Sequence, residues 1–264
     1  MGSSVVAEPR LSASVILVRD GSAGLETFMV RRHARSPAFP SAYVFPGGTV
    51  GDDDLTLHVV DAEDLWAALS ARSDTPLPAG EATALYVCAV RELFEEAGVL
   101  LVRDGLGELL EVDAAEVTLQ ERLESMRLAL QAHELSFGKV LTDRGWQPAF
   151  EQLVPFSHWI TPAAVATRFD TRFFVARLPD GQSALHDTIE TSEGIWLSPA
   201  RALEADYHTL FPTTEHLKRL AVFGDVSKLL AFARTKPIRM VSPEVGERGD
   251  GMRIRIRPEL VDGW

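Results

Sequence analysis

The chain has 264 residues, of which 46% are hydrophobic, with a formal net charge of −12 and a single cysteine, Cys88. The length suffices for one domain with a large core, and the acidic balance argues against a nucleic-acid polymer as partner, since such binding needs many Lys/Arg–phosphate contacts. A lone cysteine excludes an intrachain disulfide and favours a reducing compartment. Without an apolar run of ~20 residues or a signal-peptide profile, a cytoplasmic protein with no membrane partner is expected.

Two strands and a basic segment come first along the chain. Ala13–Val18 and Glu26–Arg32 are apolar runs suited to strands, and turn-forming residues join them. The basic cluster consists of Arg31, Arg32, His33 and Arg35. It fits an ordinary solvated loop, but guanidinium groups also pair bidentately with phosphate oxygens. Arg31 and Arg35 are therefore candidate substrate-binding residues.

A glycine pair and a long polar stretch follow. Tyr43–Phe45 is a short strand that leads to Gly47-Gly48, where the absence of side chains lets the backbone approach a metal or a phosphate closely. Residues 50–80 contain three consecutive aspartates, a short helical candidate at Ala62–Ser70 and a segment rich in proline and glycine. We expect a surface excursion with solvated aspartates that covers a site or contacts another subunit.

The most informative helix is predicted around residues 85–97. At about 100° per residue, Glu92, Glu95 and Glu96 fall within roughly a third of a turn, opposite an apolar arc, and Gly98 is suited to end the helix. Three carboxylates on one face repel each other. A hard divalent cation between them would remove that repulsion, because Mg²⁺ prefers oxygen ligands. The alternative is a solvated acidic face.

The second half alternates helices and strands. Residues 114–132 have the spacing of an amphipathic helix, and Ser198-Pro199 opens a C-terminal group of helices that ends in a hairpin. The strand Arg168–Arg177 places Arg168 and Arg172 on one face together with Asp170. That face predicts either a polar pocket, with both arginines as substrate-binding candidates, or an Arg–Asp–Arg ladder.

The glycine pair and the acidic helix together resemble the Nudix box, G-x5-E-x7-R-E-U-x-E-E-x-G-U, of the Nudix hydrolase superfamily. The stretch from Arg91 to Val99 matches every fixed position of its second half. The first half departs from the pattern, because residues 49–90 span 42 positions and imply an insertion of about 29. The earlier glutamate of the box would fall on Thr83, and Glu81 is out of register. One contact that supports the box therefore lacks an obvious carboxylate.

A narrower resemblance covers roughly residues 12–233. The order VFPGG, insertion, CAVRELFEEAGVLL, HWITP, RFDTRFF and WLSP is similar to the Nudix branch of the peroxisomal coenzyme A diphosphatases with an interrupted box. It implies an α+β fold, namely an α/β/α sandwich with a mixed sheet and extra helices after the box and on the C-terminal side. We expect a single domain over residues 1–264, with the insertion at about 50–80 and a C-terminal helical layer and hairpin at about 198–258.

The resemblance also implies a chemistry. It predicts Mg²⁺- or Mn²⁺-dependent hydrolysis of a small nucleoside diphosphate derivative, most simply coenzyme A or acyl-coenzyme A. The metal ligands would be Glu92, Glu95, Glu96 and the Gly48 carbonyl, with Arg91 orienting the carboxylates. The general base would be Glu96 or Glu190, which lies six residues before Trp196 as in related proteins, with Glu193 as the alternative to Glu190.

Two rivals stay open at this point. One is hydrolysis of another nucleotide, such as NADH, ADP-ribose or a dinucleoside polyphosphate. The other is a nucleotide-binding module without catalysis, although such modules usually lose the box glutamates that this chain retains. Homodimers are common among the proteins that the chain resembles, so a homodimer is the expected assembly.

Overall fold

A computed structural model describes residues 7–36, 39–58, 62–112, 116–185, 191–205, 207–248, 251–261 and 263–264. The strands are β1 (Arg10–Gly21), β2 (Gly24–Arg32), β3 (Tyr43–Val44), β4 (Gly47–Thr49), β5 (Val102–Arg103), β6 (Gln147–Pro148), β7 (Val154–Ile160), β8 (Phe169–Arg177), β9 (Thr191–Leu197), β10 (Met240–Val241), β11 (Glu244–Arg248) and β12 (Gly251–Arg255). The helices are α1 (Asp52–Thr56), α2 (Ala62–Ser70), α3 (Ala79–Ala97), α4 (Val117–Gln131), α5 (Phe137–Thr142), α6 (Pro199–Glu204), α7 (Phe211–Leu220) and α8 (Val226–Thr235).

The main sheet is mixed, as predicted. Its eight strands run in the order β10-β7-β8-β1-β2-β3, with β4 added to β1 and β9 added to β2. The pairs β1–β8 and β7–β10 are parallel, whereas the other pairs are antiparallel. The strand β7 was not predicted, and it lies between β8 and β10 with nearly all of its residues buried.

Helices cover both faces of this sheet, so the expected α/β/α sandwich is observed. Alternate residues of β1 point to opposite faces, which places Val15 and Leu17 in a core with α3, α4 and α5. Ile16 and Val18 belong to the second core, which includes residues of α7 and α8. The predicted cap at Ser198 is present, because its side chain accepts a hydrogen bond from the Arg201 N–H at the start of α6, and Asp225 caps α8 in the same way.

The acidic helix α3 is longer than the apolar pattern predicted. It begins at Ala79, directly after Pro78, and ends at Gly98, whose φ of 67° is left-handed and whose N–H bonds to the Phe94 carbonyl. Most of its residues are buried against the sheet and α4. Its early start places part of the insertion inside the helix.

Most described residues of the rest of the insertion are exposed or half-buried, in keeping with a surface segment, but polar contacts fasten it to the fold. Arg72 donates hydrogen bonds to the carbonyls of Pro155 (3.1 Å) and Lys236 (3.0 Å), and also to that of Ala233. Asp74 accepts a hydrogen bond from the Met240 N–H at 2.9 Å. The segment after α2 is thus fastened to β7 and α8 by half-buried hydrogen bonds and to β10 by an exposed one.

The terminal hairpin pairs β11 with β12, whereas Met240–Val241, predicted as part of it, joins the main sheet beside β7.

Within the described parts of the chain, none of the helices combines the length and apolar character that crossing a bilayer requires.

Candidate active site

A cleft of about 820 Å³ lies where the end of α3 meets β4 and the first residues of β1 and β8. One end of it is acidic and is formed by the glycine pair, α1 and α3. The other end is apolar and is formed by β7, β8 and the start of α7. The predicted box residues therefore meet in one concave site, and an apolar surface lies beside it.

The three glutamates of α3 all line the acidic end. Glu96 is the most buried of them, with 4% of its surface exposed, and its Oε2 accepts a hydrogen bond from the Gly47 N–H at 2.8 Å. The side chains of Glu92 and Glu95 are 12% and 19% exposed. Such carboxylates are accessible to a ligand in the cleft while their hydrogen bonds hold them in place.

The glycine pair is required by close packing. A side chain at Gly48 would overlap the carboxylate of Glu92, and one at Gly47 would overlap the backbone of β1. The Gly48 carbonyl faces α3, 3.6 Å from the Cys88 Sγ. Burial, reinforced by the charge of Glu92, raises the pKa of the Cys88 thiol well above its usual range, so this cysteine is a neutral packing residue.

Arg91 is the centre of the acidic end. Its Nη1 donates to the Oε1 of Glu92 at 2.7 Å and to the Oε1 of Glu95 at 3.4 Å, and its Nη2 donates to the Thr49 carbonyl at 3.2 Å. Burial would lower the pKa of this guanidinium, but the hydrogen bond to Asp54 and the charge of Glu92 outweigh it and raise the pKa. Arg91 is thus permanently charged and joins two of the carboxylates to β4.

The partner of Arg91 on its other side was missed from the sequence. Asp54 receives two hydrogen bonds from it, from Nε to Oδ1 at 2.9 Å and from Nη2 to Oδ2 at 2.7 Å. Asp54 is 1% exposed, which corrects the expectation that all three aspartates are solvated; Asp52 and Asp53 are exposed. The signal available in the sequence was a box arginine without its usual glutamate, since such a charge needs another carboxylate when it is buried.

The donor set suits a hard divalent cation. Three carboxylates contact the Arg91 guanidinium and that of Glu96 lies beside Gly47, so the acidic end carries an excess of negative charge that Mg²⁺ or Mn²⁺ would offset. As the described side chains are placed, no three His, Cys, Asp or Glu groups are arranged to hold one metal ion. An open set is the usual arrangement for Mg²⁺, which keeps waters and takes substrate phosphates as ligands.

Three of the arginines predicted to bind substrate lie away from the cleft lining. Arg31 stacks over Tyr43 with its guanidinium 5.8 Å from the ring centre, and lies 4.0 Å from Glu193 on the neighbouring strand. Arg35 is exposed in the loop after β2. Arg168 donates to the carbonyls of Thr161 and Ala7. Because successive side chains of a strand point to opposite faces of the sheet, Arg31 of β2 points away from the face on which Arg32 lies.

Arg172, the fourth predicted residue, has a different role. Its side chain is 2% exposed and donates to the Ser73 Oγ at 3.2 Å and to the Thr75 carbonyl at 3.1 Å. Thr75 also lies 2.9 Å from His158 Nδ1, whose other ring nitrogen contacts Asp170 at 2.6 Å. The polar face of β8 therefore carries an ion pair of Arg172 with Asp170 at 3.9 Å, lies outside the cleft lining and anchors the inserted segment.

Two other arginines line the cleft instead. Arg32 is next to Arg31 in β2, and its Nε and Nη2 donate to the Ser36 Oγ. Arg10 is exposed at the rim, with its guanidinium 5.1 Å from the ring centre of Phe169. The sequence placed Arg32 in the correct cluster, but only the direction of β2 shows which member reaches the cleft.

A row of side chains crosses the floor from the acidic to the apolar end. Strand pairing aligns Thr49 of β4 with Ser12 of β1, Ser12 with Thr171 of β8, and Thr171 with Trp159 of β7. Three interstrand spacings of about 4.8 Å give the row a length of about 14 Å. At its far end the apolar wall comprises Trp159, Ile160, Val165, Phe169 and Phe211.

Comparison with known families decides the relationship. The family model described as the NUDT19 Nudix domain matches residues 61–210, more than half of the chain. The chain belongs to this family. The predicted membership of the Nudix superfamily, in the branch that resembles coenzyme A diphosphatases, is confirmed.

Curated relatives from this Nudix family are distant but extensive. The protein named acyl-coenzyme A diphosphatase NUDT19 of Xenopus laevis is 27% identical over 247 residues, covering 81% of this chain and 64% of the relative. The Gallus gallus protein of the same name is 28% identical over 256 residues, covering 83% and 67%. The chain thus spans about two-thirds of the length of these relatives.

Among solved structures, a Nudix hydrolase from Alicyclobacillus acidocaldarius superposes with a TM-score of 0.65 at 24% identity. The match covers 86% of this chain and 97% of that one. At this identity the likeness concerns the fold alone, and it confirms the predicted Nudix-type α+β sandwich.

The predicted second base of the Nudix site, Glu190, lies outside the described residues. Its alternative, Glu193, is described and belongs to β9. The Glu193 carboxylate accepts a hydrogen bond from the Tyr43 hydroxyl at 2.6 Å, and burial together with this contact raises the pKa of Tyr43 to about 12. Glu193 thus packs beside β3 rather than lining the cleft.

Proposed function

We propose that this protein is a divalent-metal-dependent diphosphohydrolase that cleaves the diphosphate bond of coenzyme A or, preferably, of an acyl-coenzyme A. The observation that carries the proposal is the continuity of one cleft from the carboxylates around Arg91 to an apolar end about 14 Å away. The names of the relatives, acyl-coenzyme A diphosphatases, support the same reaction.

The acidic end supplies the groups for hydrolysis. Glu92, Glu95, Glu96 and the Gly48 carbonyl would hold Mg²⁺ or Mn²⁺. When bound, such an ion neutralises phosphate charge and lowers the pKa of an attacking water. Arg91 keeps the carboxylates of Glu92 and Glu95 in place through the contacts described above.

A base is also needed to take a proton from the attacking water. Glu96 is one candidate, because it lines the cleft and the Gly47 N–H fixes one of its oxygens. Glu190 is the other candidate from the family resemblance. A carboxylate in either role would contribute about 10²–10⁴-fold to the rate.

The cleft has the same order of polarity as the substrate. Along coenzyme A, the charged diphosphate is followed by an amide-containing arm and then by the thioester and its acyl chain. Along the cleft, the carboxylates are followed by the hydroxyls of Ser12 and Thr171 and then by the wall around Phe169 and Phe211. Burying an acyl chain against that wall would stabilise the complex by about 0.8 kcal/mol per methylene.

Phosphates outside the cleaved bond need cationic contacts, since the protein as a whole is acidic. Arg32 and Arg10 line the cleft and are our candidates for this role. The other candidates, Arg31, Arg35, Arg168 and Arg172, are not among the residues that line the cleft. We further infer a cytoplasmic location, because a single cysteine favours a reducing compartment, and a homodimer, because homodimers are common among the proteins that the chain resembles; light scattering on the purified protein tests the dimer.

The deciding experiment is a substrate comparison. The protein is incubated with Mg²⁺ or Mn²⁺ and with coenzyme A, acyl-coenzyme A of several chain lengths, NADH, ADP-ribose or a dinucleoside polyphosphate, and products are identified by mass spectrometry. Adenosine 3′,5′-bisphosphate with phosphopantetheine or its acyl derivative is the expected pair. Faster turnover of another nucleotide would move the substrate assignment, and turnover of none would favour a binding module.

A further inference from the structure

We propose that Asp54, which the insertion contributes, is a positioning residue for the metal site and acts through Arg91. The proposal rests on the proposed function only in assuming that the carboxylates of α3 bind a divalent cation. It assigns a role to the start of the insertion, which the box pattern treats as an interruption.

The usual position for such a carboxylate is not available in this chain. Because α3 begins at Ala79, Thr83 lies inside the helix, where its hydroxyl donates to the Ala79 carbonyl. Eight residues of helix separate it from Arg91, which corresponds to about 12 Å along the axis. Glu81 is two residues further away. No side chain on this part of α3 spans that distance, so the partner of Arg91 must come from elsewhere.

Asp54 has the geometry of that partner. Both of its oxygens accept hydrogen bonds from Arg91, in the bidentate arrangement that fixes a guanidinium most firmly. The Gly51 N–H donates to the Oδ2 at 2.9 Å and so fixes the carboxylate itself. Gly51 lies only three residues after Gly48, which ties the aspartate to the glycine pair through a short stretch of backbone.

Arg91 transmits this orientation to the ligands. With Nε and Nη2 held by Asp54, the Nη1 is directed at Glu92 and Glu95. Without the aspartate, a buried guanidinium would turn towards the remaining carboxylates and compete with the cation for their oxygens. Removing a residue that orients a metal ligand in this way typically weakens metal binding about 10–100-fold.

The test measures Mn²⁺ binding directly, by electron paramagnetic resonance titration of the purified full chain without substrate. Asp54→Asn keeps the shape of the side chain and removes its charge, and we expect it to weaken Mn²⁺ binding by about 10–100-fold. The matched control is Asp64→Asn, because Asp64 is exposed in α2 of the same insertion; we expect its Mn²⁺ affinity to stay within about twofold of wild type.

A cycle with Arg91 separates positioning from folding. If Asp54 acts through the guanidinium, Asp54→Asn weakens Mn²⁺ binding much less when Arg91→Gln is already present. Thermal melts identify any unfolded fraction. Should Asp54→Asn fail to fold, Asp54→Glu retains the charge and displaces the guanidinium by one methylene; weaker Mn²⁺ binding by this variant supports the proposal, and unchanged binding overturns it.

The remaining outcomes distinguish a failure of the positioning role from a failure of the proposed function. Wild-type Mn²⁺ affinity in folded Asp54→Asn, or an equal loss with and without Arg91, would overturn the positioning role. If Asp54→Asn weakens Mn²⁺ binding but the wild type hydrolyses none of the nucleotides, the positioning role stands and the proposed function fails. Absence of Mn²⁺ binding by the wild type would contradict both.

Discussion

The inserted segment reaches two buried ionic clusters, and they differ in a way that separates function from support. At its start, Asp54 joins an acidic cluster around Arg91 that opens into the cleft. Near its end, Ser73 and Thr75 join a basic cluster around Arg172. The acidic cluster has more carboxylates than cations and faces the cleft, whereas backbone carbonyls satisfy much of the basic cluster.

The comparison shows how to interpret a buried charge. An arginine whose hydrogen bonds end on a hydroxyl and a backbone carbonyl, like Arg172, fixes one segment of the chain to another. An arginine that gathers several carboxylates, like Arg91, leaves an unbalanced charge for a ligand. The sequence alone does not distinguish these two arginines, since each lies close to acidic and apolar residues in a helix or a strand.

The largest effect expected on the acidic side is that of Glu96→Gln. Loss of this carboxylate removes a proposed metal ligand and a candidate base, so kcat should fall by about 10³-fold with the melting temperature nearly unchanged. Steady-state kinetics and a thermal melt on the same preparation check this. A kcat within tenfold of wild type would show that Glu96 has neither role.

A substitution in the basic cluster should lower the stability of the protein and leave substrate binding unchanged. Arg172→Met leaves the Ser73 hydroxyl and the Thr75 carbonyl without their charged donor, so the free energy of unfolding should fall by about 3 kcal/mol. The KM for substrate should not change, because Arg172 does not line the cleft. Urea unfolding and kinetics measure the two quantities; a raised KM at unchanged stability would restore the substrate-binding role.

A third prediction uses pH to examine the edge of the basic cluster. Lys236 donates to the Phe156 carbonyl at 2.6 Å, and burial, with repulsion from Arg219 and Arg72, lowers its pKa from 10.5 to about 7. The unfolded chain binds more protons than the folded one between these values, so stability rises as pH increases through this window and is lowest below pH 7.

Relative to Lys236→Met, the wild type should therefore gain about 2 kcal/mol of unfolding free energy between pH 7 and pH 9. Urea unfolding of both proteins at each pH gives the difference, and the variant serves as the control for all other titrating groups. Parallel pH dependence in the two proteins would show that Lys236 stays charged in the folded state.

The smallest effect concerns the arginines of the basic segment. Arg32→Gln should raise the KM for coenzyme A by roughly fivefold, about 1 kcal/mol, because Arg32 lines the cleft. Arg35→Gln should leave the KM unchanged, since Arg35 is exposed outside the cleft lining. Kinetics at fixed ionic strength compare the pair; equal effects would mean that general attraction, rather than a contact, draws the substrate.

The sequence alone determined the elements whose signals are local. The 3.6-residue period placed three glutamates on one face of α3, and Gly98 marked its end because a left-handed residue there needs no neighbour from elsewhere in the chain. The match from Arg91 to Val99 likewise identified the family and the acidic end of the cleft.

Which charged side chains lie together follows from contacts between distant parts of the chain. The pairing of Asp54 with Arg91 spans 37 residues, and that of Arg172 with Ser73 spans 99, so neither follows from any periodic pattern. Arg32 lines the cleft and Arg31 does not, because the two side chains point to different sides of β2. The order of the strands in the sheet places Thr49 and Trp159 in one row. Contacts between distant segments depend on how the whole sheet is assembled, and the identity of a charged residue does not encode which neighbour it will meet.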